Sequence, residues 1–318
     1  MYRCASLLYV LWTLFYICWC NADPLLSLPK PTTDALINLQ IKGALSKSCN
    51  RILDLGAYTG NWSMALQNSG ICATDSIFIM VEGNYDHKEV LKGLKGISYD
   101  FILALLGANT NSDQEHEAND DVQQSDEEAT LPHVKYYRAG EITRSVNHEA
   151  SASNSVRRNL ADIYRLDTEV EERALHSLDS LLSGFKYTGP EWAFDIIRVD
   201  TEGFELEVLR GALGTLENSP NAMIIMKTPI FPYLEGLPPI FEVHSFMHSL
   251  GYALSDVIEL KYAAFDGITE LFYTDMIWVR RNQLVVTNWH SEARSHNDGL
   301  AAEAGTTAVL PRWNCTLV

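Results

Sequence analysis

The chain has 318 residues, of which 47% are hydrophobic, and a formal net charge of -17. This length and apolar content are enough for a full hydrophobic core, in one large domain or two small ones. The acidic balance, with no basic stripe anywhere in the sequence, excludes a nucleic-acid partner.

The first 22 residues have the pattern of a secretory signal peptide. An apolar stretch follows Arg3, and small and polar residues come after it, so cleavage after Ala22 is expected. The stretch is shorter than the roughly 20 residues of a membrane span, but a retained signal anchor stays an alternative. We therefore expect a protein of the secretory pathway, secreted or in the Golgi or ER lumen, or in an organelle reached through a signal peptide. It would contact a membrane only through a retained leader.

Apolar runs alternate with segments of helical spacing after an N-terminal segment at residues 23–47. Strands are predicted near residues 51–55, 77–81, 100–106, 134–138, 193–199, 222–226, 252–258 and 276–280. Helices are predicted near residues 33–45, 62–66, 85–94, 177–182, 204–216 and 241–250. The alternation indicates an α/β fold with a mostly parallel sheet, and the last two strands, joined without a long helix, indicate an antiparallel edge.

Three polar segments interrupt or follow this pattern. Residues 113–128, within an acidic insertion at 111–130, carry many carboxylates and no Lys or Arg, which predicts a solvated, disordered loop. The polar sequence of residues 141–174 indicates a mixture of loop and helix, and this segment contains no recognisable motif. Residues 282–318 predict a flexible tail.

Three cysteines, Cys49, Cys72 and Cys315, remain once the leader is removed. In an oxidising compartment an odd number leaves one thiol free or bonded to another chain. Cys49 and Cys72 precede the first two core strands, so both lie at the same end of neighbouring parallel strands. We therefore predict a disulfide between them.

A cluster of carboxylates follows the buried strand at residues 193–199, in the sequence Asp200-Thr-Glu-Gly-Phe-Glu205. Ligands of open α/β sheets bind outside the carboxyl ends of the strands, so Asp200 and Glu202 are expected to face one. The alternative is that Asp200 or Thr201 caps the next helix and that the glutamates favour its first turn. For Glu205 both the ligand-facing position and the helix-start role stay open.

A glycine turn follows the first strand, in the sequence Asp54-Leu-Gly-Ala-Tyr-Thr-Gly60. Its spacing matches neither the dinucleotide fingerprint nor the phosphate loop of nucleotide hydrolases. Glu82, at the end of the second strand, is placed to accept hydrogen bonds from ribose hydroxyls. A ribose without phosphates among carboxylates indicates a cationic adenosyl ligand, commonly S-adenosylmethionine. The alternative is a plain turn whose glycines only permit tight packing.

From residue 48 to residue 281 the chain resembles the FkbM-type methyltransferases. It carries in the family's order the segments Asp54 to Gly60, Val81-Glu-Gly-Asn84, Ala104-Leu-Leu-Gly107, Leu178-Asp-Ser-Leu-Leu182 and Ile197-Arg-Val-Asp-Thr-Glu-Gly-Phe-Glu-Leu-Glu-Val-Leu-Arg-Gly-Ala212. The last segment is the most discriminating, because all class I methyltransferases share the glycine loop. The resemblance implies a Rossmann-like class I methyltransferase with a seven-stranded sheet that transfers a methyl group, usually to oxygen. The acidic insertion and the leader depart from the family pattern.

The site residues follow from this resemblance together with the motifs. The predicted cofactor-binding residues are Asp54, Gly56, Ala57, Tyr58, Gly60, Glu82, Gly83, Asn84 and Leu106. Asp200 is the leading candidate for the general base or the group that orients the acceptor, and Glu202 is the second. His133 and His176 are weaker candidates. No metal is predicted, because sequence spacing fixes no third ligand near Asp200 and Glu202.

The acceptor is expected to be a glycan or another small hydroxylated molecule, an expectation that rests on compartment and family range. The main alternative is a secreted binding protein that keeps the fold without catalysis, and a nicotinamide-dependent oxidoreductase is the third. The sequence leaves the oligomeric state open. A glycosylation motif, Asn61-Trp62-Ser63, lies at the mouth of the cofactor loop, where a glycan would obstruct binding, so Asn61 is expected to be unmodified in active protein.

Overall fold

The computed structural model describes residues 28–41, 45, 49–108, 131–139, 168–230, 234–265 and 268–281. The predicted leader, the acidic insertion and the tail after Arg281 lie outside these ranges. Among the described helices, none combines the length and the apolar character needed to cross a membrane.

The described elements alternate along the chain as the sequence predicts. The strands are β1 (Cys49–Leu55), β2 (Cys72–Glu82), β3 (Ser98–Leu103), β4 (Leu105–Leu106), β5 (His133–Ala139), β6 (Thr168–His176), β7 (Ile196–Val199), β8 (Met223–Pro229), β9 (Tyr252–Phe265) and β10 (Ile268–Arg280). The helices are α1 (Lys30–Ile41), α2 (Asn61–Asn68), α3 (Lys88–Lys92), α4 (Leu178–Gly184), α5 (Glu205–Arg210), α6 (Leu213–Asn218) and α7 (Ile240–Ser249). Short 3₁₀ turns occupy Tyr85–His87 and Pro190–Trp192.

Seven strands form one sheet in the spatial order β3-β2-β1-β7-β8-β10-β9. Strands β3, β2, β1, β7 and β8 are parallel, whereas β10 runs antiparallel to both β8 and β9. This confirms the predicted seven-stranded, mostly parallel sheet with an antiparallel edge. The strand order reverses between β1 and β7, which is the position where folds of this class bind ligands.

Both faces of the sheet are covered, which explains why the central strands are almost continuously apolar. One face packs against α1 and α2, through buried side chains such as Leu36 and Leu66. The opposite face packs against α4, α5, α6 and α7, through residues such as Leu178 and Met247. Residues alternate between the two faces along each strand, so a polar residue in a central strand is forced into one core or the other.

A second, three-stranded sheet in the order β4-β6-β5 follows β3. The strand predicted at residues 100–106 therefore divides at Ala104, and Leu106 belongs to the second sheet. The mixture of loop and helix predicted at residues 141–174 is wrong for its described part, where β6 begins at Thr168 and pairs with β5. Its strand pattern was hidden because acidic and basic residues dominate this segment.

The single helix predicted at residues 204–216 is two helices, α5 and α6, that meet at Gly211. A β-carbon on Gly211 would lie 2.1 Å from the carbonyl oxygen of Gly107, so the chain needs a glycine at this contact. The Asp179 carboxylate accepts hydrogen bonds from the backbone N–H groups of Gly214 and Thr215 at 2.8 and 2.7 Å. These tertiary contacts interrupt a helical periodicity that is continuous in sequence.

The predicted disulfide between Cys49 and Cys72 is confirmed. The two residues are partners in the parallel register of β1 and β2. They lie at the amino ends of these strands, at the opposite edge of the sheet from the cavity described next.

Candidate functional site

A cavity of about 260 Å³ lies at the carboxyl ends of β1, β2 and β7. Its walls come from the loop after β1, the end of β2, the segment through β4, the tip of β7 and Tyr136 of the second sheet. The volume is close to the lower limit of typical ligand sites, roughly 300 Å³. The cavity therefore occupies the reversal point of the strand order, where the sequence predicts the ligand.

The glycine loop after β1 touches the tip of β7 directly. A β-carbon on Gly56, whose φ is +81°, would lie 1.8 Å from the carbonyl oxygen of Asp200. The backbone N–H groups of Gly56 and Ala57 both donate to the carbonyl oxygen of Val81, at 2.8 and 3.1 Å. Glycine at this position thus brings the ends of β1, β2 and β7 around one space.

Glu82 presents its carboxylate to the cavity from the end of β2. The side chain is almost completely buried, and Oε2 accepts a hydrogen bond of 2.6 Å from the backbone N–H of Tyr58. Oε1 accepts one of 2.7 Å from the backbone N–H of Asn84. A carboxylate has about four acceptor positions, so these bonds fix its orientation and leave capacity for ribose hydroxyls.

Asp54 lies beneath the glycine loop and does not reach the cavity wall. It is fully buried, and its Oδ2 accepts a 2.6 Å hydrogen bond from the hydroxyl of Ser63. Its Oδ1 accepts one of 2.9 Å from Nη1 of Arg198. Asp54 therefore connects β1, α2 and β7 from inside the core.

The predicted cofactor residues divide into two groups. Those on the cavity wall are Gly56, Ala57, Tyr58, Glu82, Gly83 and Leu106, and those away from it are Asp54, Gly60 and Asn84. The side chain of Asn84 accepts from the backbone N–H of Asp86 and contacts His87, so it shapes the turn after β2. A cofactor-binding role of Asp54, Gly60 or Asn84 stays a prediction.

Asp200 and Glu202 both line the cavity and are linked by one cation. Nζ of Lys227 lies 2.6 Å from Oε1 of Glu202 and 3.3 Å from Oδ1 of Asp200. The guanidinium of Arg198 donates to the other oxygen of Asp200. Helix α5 begins after Phe204 without a side-chain cap, so the interpretation of Asp200 or Thr201 as a helix cap is wrong.

The two carboxyl groups have pKa values displaced in opposite directions. Burial raises the pKa of Asp200, but the charges of Lys227 and Arg198 outweigh burial and hold it below the ordinary value. Burial raises the pKa of Glu202 above the ordinary value, against the lowering effect of Lys227. Because the groups share a cation, they titrate as a coupled pair.

Glu205 has a structural role at the start of α5. Its Oε1 accepts hydrogen bonds of 3.0 Å from the backbone N–H groups of Thr201 and Gly203. Burial raises its pKa to about 8 despite these bonds. Glu205 thereby closes the loop that carries Glu202, whose backbone lies in the left-handed region at a φ of 52°. Tyr58, on the facing loop, has a φ of 53°, and such strain is concentrated at functional sites.

Alternating charges cross the sheet beside the cavity. Asp54 and Arg198 are registered partners on β1 and β7, and Lys227 and Asp275 are partners on β8 and β10. Asp200 follows the last registered pair of β7 and β8 and completes a row of acidic and basic groups. Burial, with the charges of Asp200 and Glu259, raises the pKa of Asp275 to about 7. We call these five residues, Asp54, Arg198, Asp200, Lys227 and Asp275, the charged row.

Sequence reasoning missed the cations of this site and part of its wall. Arg198 and Lys227 are each the one charged residue of a buried, otherwise mostly apolar strand. A lone charge in such a strand was the sequence signal that could have identified them. Tyr136 reaches the cavity from the second sheet, which no motif indicated. His133 and His176 do not line the cavity. In the described ranges, no three His, Cys, Asp or Glu side chains are grouped to hold a metal, and the expectation of no metal stays a prediction.

The wall chemistry fits S-adenosylmethionine. Glu82 offers a fixed carboxylate to a ribose, and Val81, Leu105 and Leu106 offer an apolar surface to an adenine ring. Three carboxylates on the wall outnumber the two cations beside them, Arg198 and Lys227, which favours a ligand that carries positive charge.

Comparisons with solved structures find similar folds at low similarity. One is a methyltransferase dependent on S-adenosylmethionine from Clostridium acetobutylicum, with a TM-score of 0.37 and 7% identity over 86% of this chain and 98% of that one. Another, from Aquifex aeolicus, has a TM-score of 0.35 and 12% identity over 80% and 94% of the two chains. A third is Aeropyrum pernix fibrillarin with natively bound S-adenosyl-L-methionine, with a TM-score of 0.34 and 12% identity over 78% and 76%. At these scores the likenesses carry no argument of their own.

The family comparison is decisive. No curated protein matches the chain. The model of the methyltransferase FkbM domain matches residues 54–254, which is more than half of the chain and includes every predicted site residue. The chain therefore belongs to the FkbM family and is a methyltransferase that uses S-adenosylmethionine.

Proposed function

We propose that this methyltransferase transfers the methyl group to a hydroxyl oxygen of a glycan or another small acceptor. The observation that carries the proposal is the pair of carboxylates, Asp200 and Glu202, on the wall that faces the glycine loop. A hydroxyl must be oriented and must lose its proton, and paired carboxyl groups with separated pKa values are suited to these two tasks.

The residues divide the work according to their surroundings. When bound, S-adenosylmethionine supplies the methyl group, and Glu82 with the loop from Gly56 to Tyr58 would hold it. Asp200, kept ionised by Lys227 and Arg198, accepts a hydrogen bond from the acceptor hydroxyl and orients it. Glu202, with its raised pKa, takes up the proton. Holding the reacting atoms together contributes up to roughly 7 to 11 kcal/mol of such an acceleration.

We further propose that the protein works in the secretory pathway. The signal-peptide pattern supports this, and the disulfide between Cys49 and Cys72 agrees with an oxidising compartment. Contact with a membrane would require that the leader is retained as an anchor.

The experiment is a transfer assay with labelled cofactor and a panel of glycans and small alcohols, with cofactor affinity measured separately. Asp200→Asn and Glu202→Gln should each keep cofactor binding and lower turnover by roughly 100-fold. Glu217→Gln, an exposed glutamate on α6, is the matched control and should retain full turnover. Full turnover in Asp200→Asn would remove Asp200 from the reaction. Cofactor binding without transfer to any hydroxyl would contradict O-methylation and favour the non-catalytic alternative.

A further inference from the structure

Lys227 lies between Asp200 and Asp275 in the charged row, although it does not itself line the cavity. It follows four buried apolar residues of β8, and only 11% of its side chain is exposed. Its register partner on β10 is Asp275, and on the other side it reaches Asp200 and Glu202. A lysine inside an apolar strand loses hydration, so its position requires compensation by these acidic groups.

Lys227 contacts both cavity carboxylates and so favours the arrangement in which they lie side by side. Its ammonium contacts Oδ1 of Asp200 and Oε1 of Glu202, while Arg198 occupies the other oxygen of Asp200. The ammonium also lies 4.6 Å from the ring centroid of Tyr273, a distance at which a cation is attracted to the aromatic face. The lysine is therefore held on both sides, and its direction toward the carboxylates is fixed.

We propose that Lys227 is a positioning residue for methyl transfer, a built-in cation that holds Asp200 and Glu202 side by side at the cavity wall. Two adjacent carboxylates repel each other and would separate or take up a proton without a cation between them. In many proteins a divalent metal ion occupies such a position. Here the ammonium group occupies it, and the chain itself supplies the charge.

The charges around Lys227 support this assignment. Arg198 is engaged by Asp54 on one side and by Asp200 on the other, so it balances the β1 side of the row. On the β10 side, Lys227 faces Asp275, whose pKa is raised by burial and by the charges of Asp200 and Glu259. Lys227 is thus the cation that contacts Asp200 and Glu202 together. Its loss would leave an excess of carboxylates in a buried place.

This inference rests on the proposed function for its catalytic consequence, but its central claim is testable without an acceptor. In the full chain, carboxyl titration by NMR with labelled Asp and Glu would compare wild type with Lys227→Met, Lys227→Arg and the control Lys92→Met. Lys92 also pairs with a glutamate, Glu89, but at the exposed surface. Lys227→Met should raise the pKa of the Asp200 carboxyl above its wild-type value, whereas Lys227→Arg and Lys92→Met should leave it unchanged.

A double variant keeps the test decisive if Lys227→Met folds poorly. Lys227→Met combined with Glu202→Gln removes one charge of each sign, so it should unfold at a higher temperature than Lys227→Met alone. With an acceptor in hand, Lys227→Met should lose roughly 100-fold in turnover at unchanged cofactor affinity, and Lys227→Arg should restore part of it.

Two results would overturn the proposal. One is an Asp200 titration that is the same in Lys227→Met and wild type, and the other is a double variant no more stable than Lys227→Met. Failure of the wild-type enzyme to methylate any hydroxyl would contradict the proposed function alone, because the titration and stability measurements use no acceptor.

Discussion

Asp54 directs its carboxylate at Arg198, with 2.9 Å between Oδ1 and Nη1, rather than at the cavity. The two residues are registered neighbours on β1 and β7, the strands between which the order of the sheet reverses. The pair joins the strand before the glycine loop to the strand that leads to Asp200 and Glu202. Disturbing either residue should therefore affect both halves of the site.

Asp54→Ala should lower the free energy of unfolding by about 3 to 5 kcal/mol, because it leaves the buried guanidinium of Arg198 without one of its carboxylates. Cofactor affinity should fall as well, since Asp54 anchors α2, the helix that follows the glycine loop, through Ser63. Asp34→Ala, which breaks an exposed pair with Lys30, should change the stability far less, because solvent screens this pair. Urea unfolding and calorimetry measure both quantities. Equal losses of stability in the two variants would contradict the buried role of Asp54.

Glu82→Gln should weaken the binding of S-adenosylmethionine by about 10- to 100-fold, because one charge-assisted hydrogen bond is worth about 1.5 to 3 kcal/mol. The substitution keeps the shape of the side chain but replaces an acceptor oxygen with a donor. Glu89→Gln, an exposed glutamate on the following helix, is the matched control. Calorimetric titration measures the affinity of both variants for S-adenosylmethionine. Unchanged affinity in Glu82→Gln would remove this residue from the cofactor site.

Gly56→Ala should be far more damaging than Gly96→Ala, although both glycines have a φ near +80°. At Gly96 no heavy atom lies within 4 Å of the added β-carbon, so the variant measures only the backbone penalty, about 1 to 2 kcal/mol. At Gly56 the β-carbon meets the carbonyl oxygen of Asp200 as well. Thermal unfolding of the two variants separates the backbone penalty from the cost of the steric contact. Similar melting temperatures would refute the close contact between the loop and β7.

Glu205→Gln should flatten the dependence of stability on pH. The pKa of Glu205 is raised to about 8 in the folded protein, above the ordinary value of 4.5. The unfolded chain therefore binds fewer protons between these values, and the stability of the wild type falls as the pH rises from about 5 to 8. Glutamine keeps the acceptor oxygen for Thr201 and Gly203 but does not titrate. Melting temperatures measured across this range should fall less in the variant, and parallel curves would contradict the raised pKa.

Asn61 should carry no glycan in active protein. It is exposed at the cavity wall and begins α2, while Ser63 of the same motif is buried against Asp54. A glycan there would stand at the entrance to the cofactor loop. Mass spectrometry of protein secreted from eukaryotic cells, before and after glycosidase treatment, measures its occupancy. Full occupancy together with full activity would be incompatible with the placement of this loop.

The strands that flank the cavity were predictable because they are buried on both faces. Runs such as residues 51–55 and 193–199 are mostly apolar, with two charged residues in each, and the carboxyl-end rule then identifies Asp200 and Glu202. The second sheet was not predictable in the same way. The strand from Thr168 to His176 has acidic and basic side chains between its few apolar ones, so it lacks a clear period of two.

The contacts within the site depend on which strands pair and in which register, and a single sequence does not show this. Asp54 was predicted to bind the cofactor, which stays a prediction, but its pairing with Arg198 through the register of β1 with β7 was not predicted. Lys227 is 25 residues away from Glu202 along the chain, and only the adjacency of β7 and β8 brings them together. The isolated cations in buried strands were visible beforehand, but their partners were not.

Gly107, which lies against Gly211, also packs behind the cavity wall. A β-carbon on Gly107 would lie 2.8 Å from the ring of Phe204, which forms part of the cavity wall. A single added methyl group would push this ring and narrow the space without changing any residue that a substrate touches. The size of a residue that does not line the cavity can thus set the volume of the cavity.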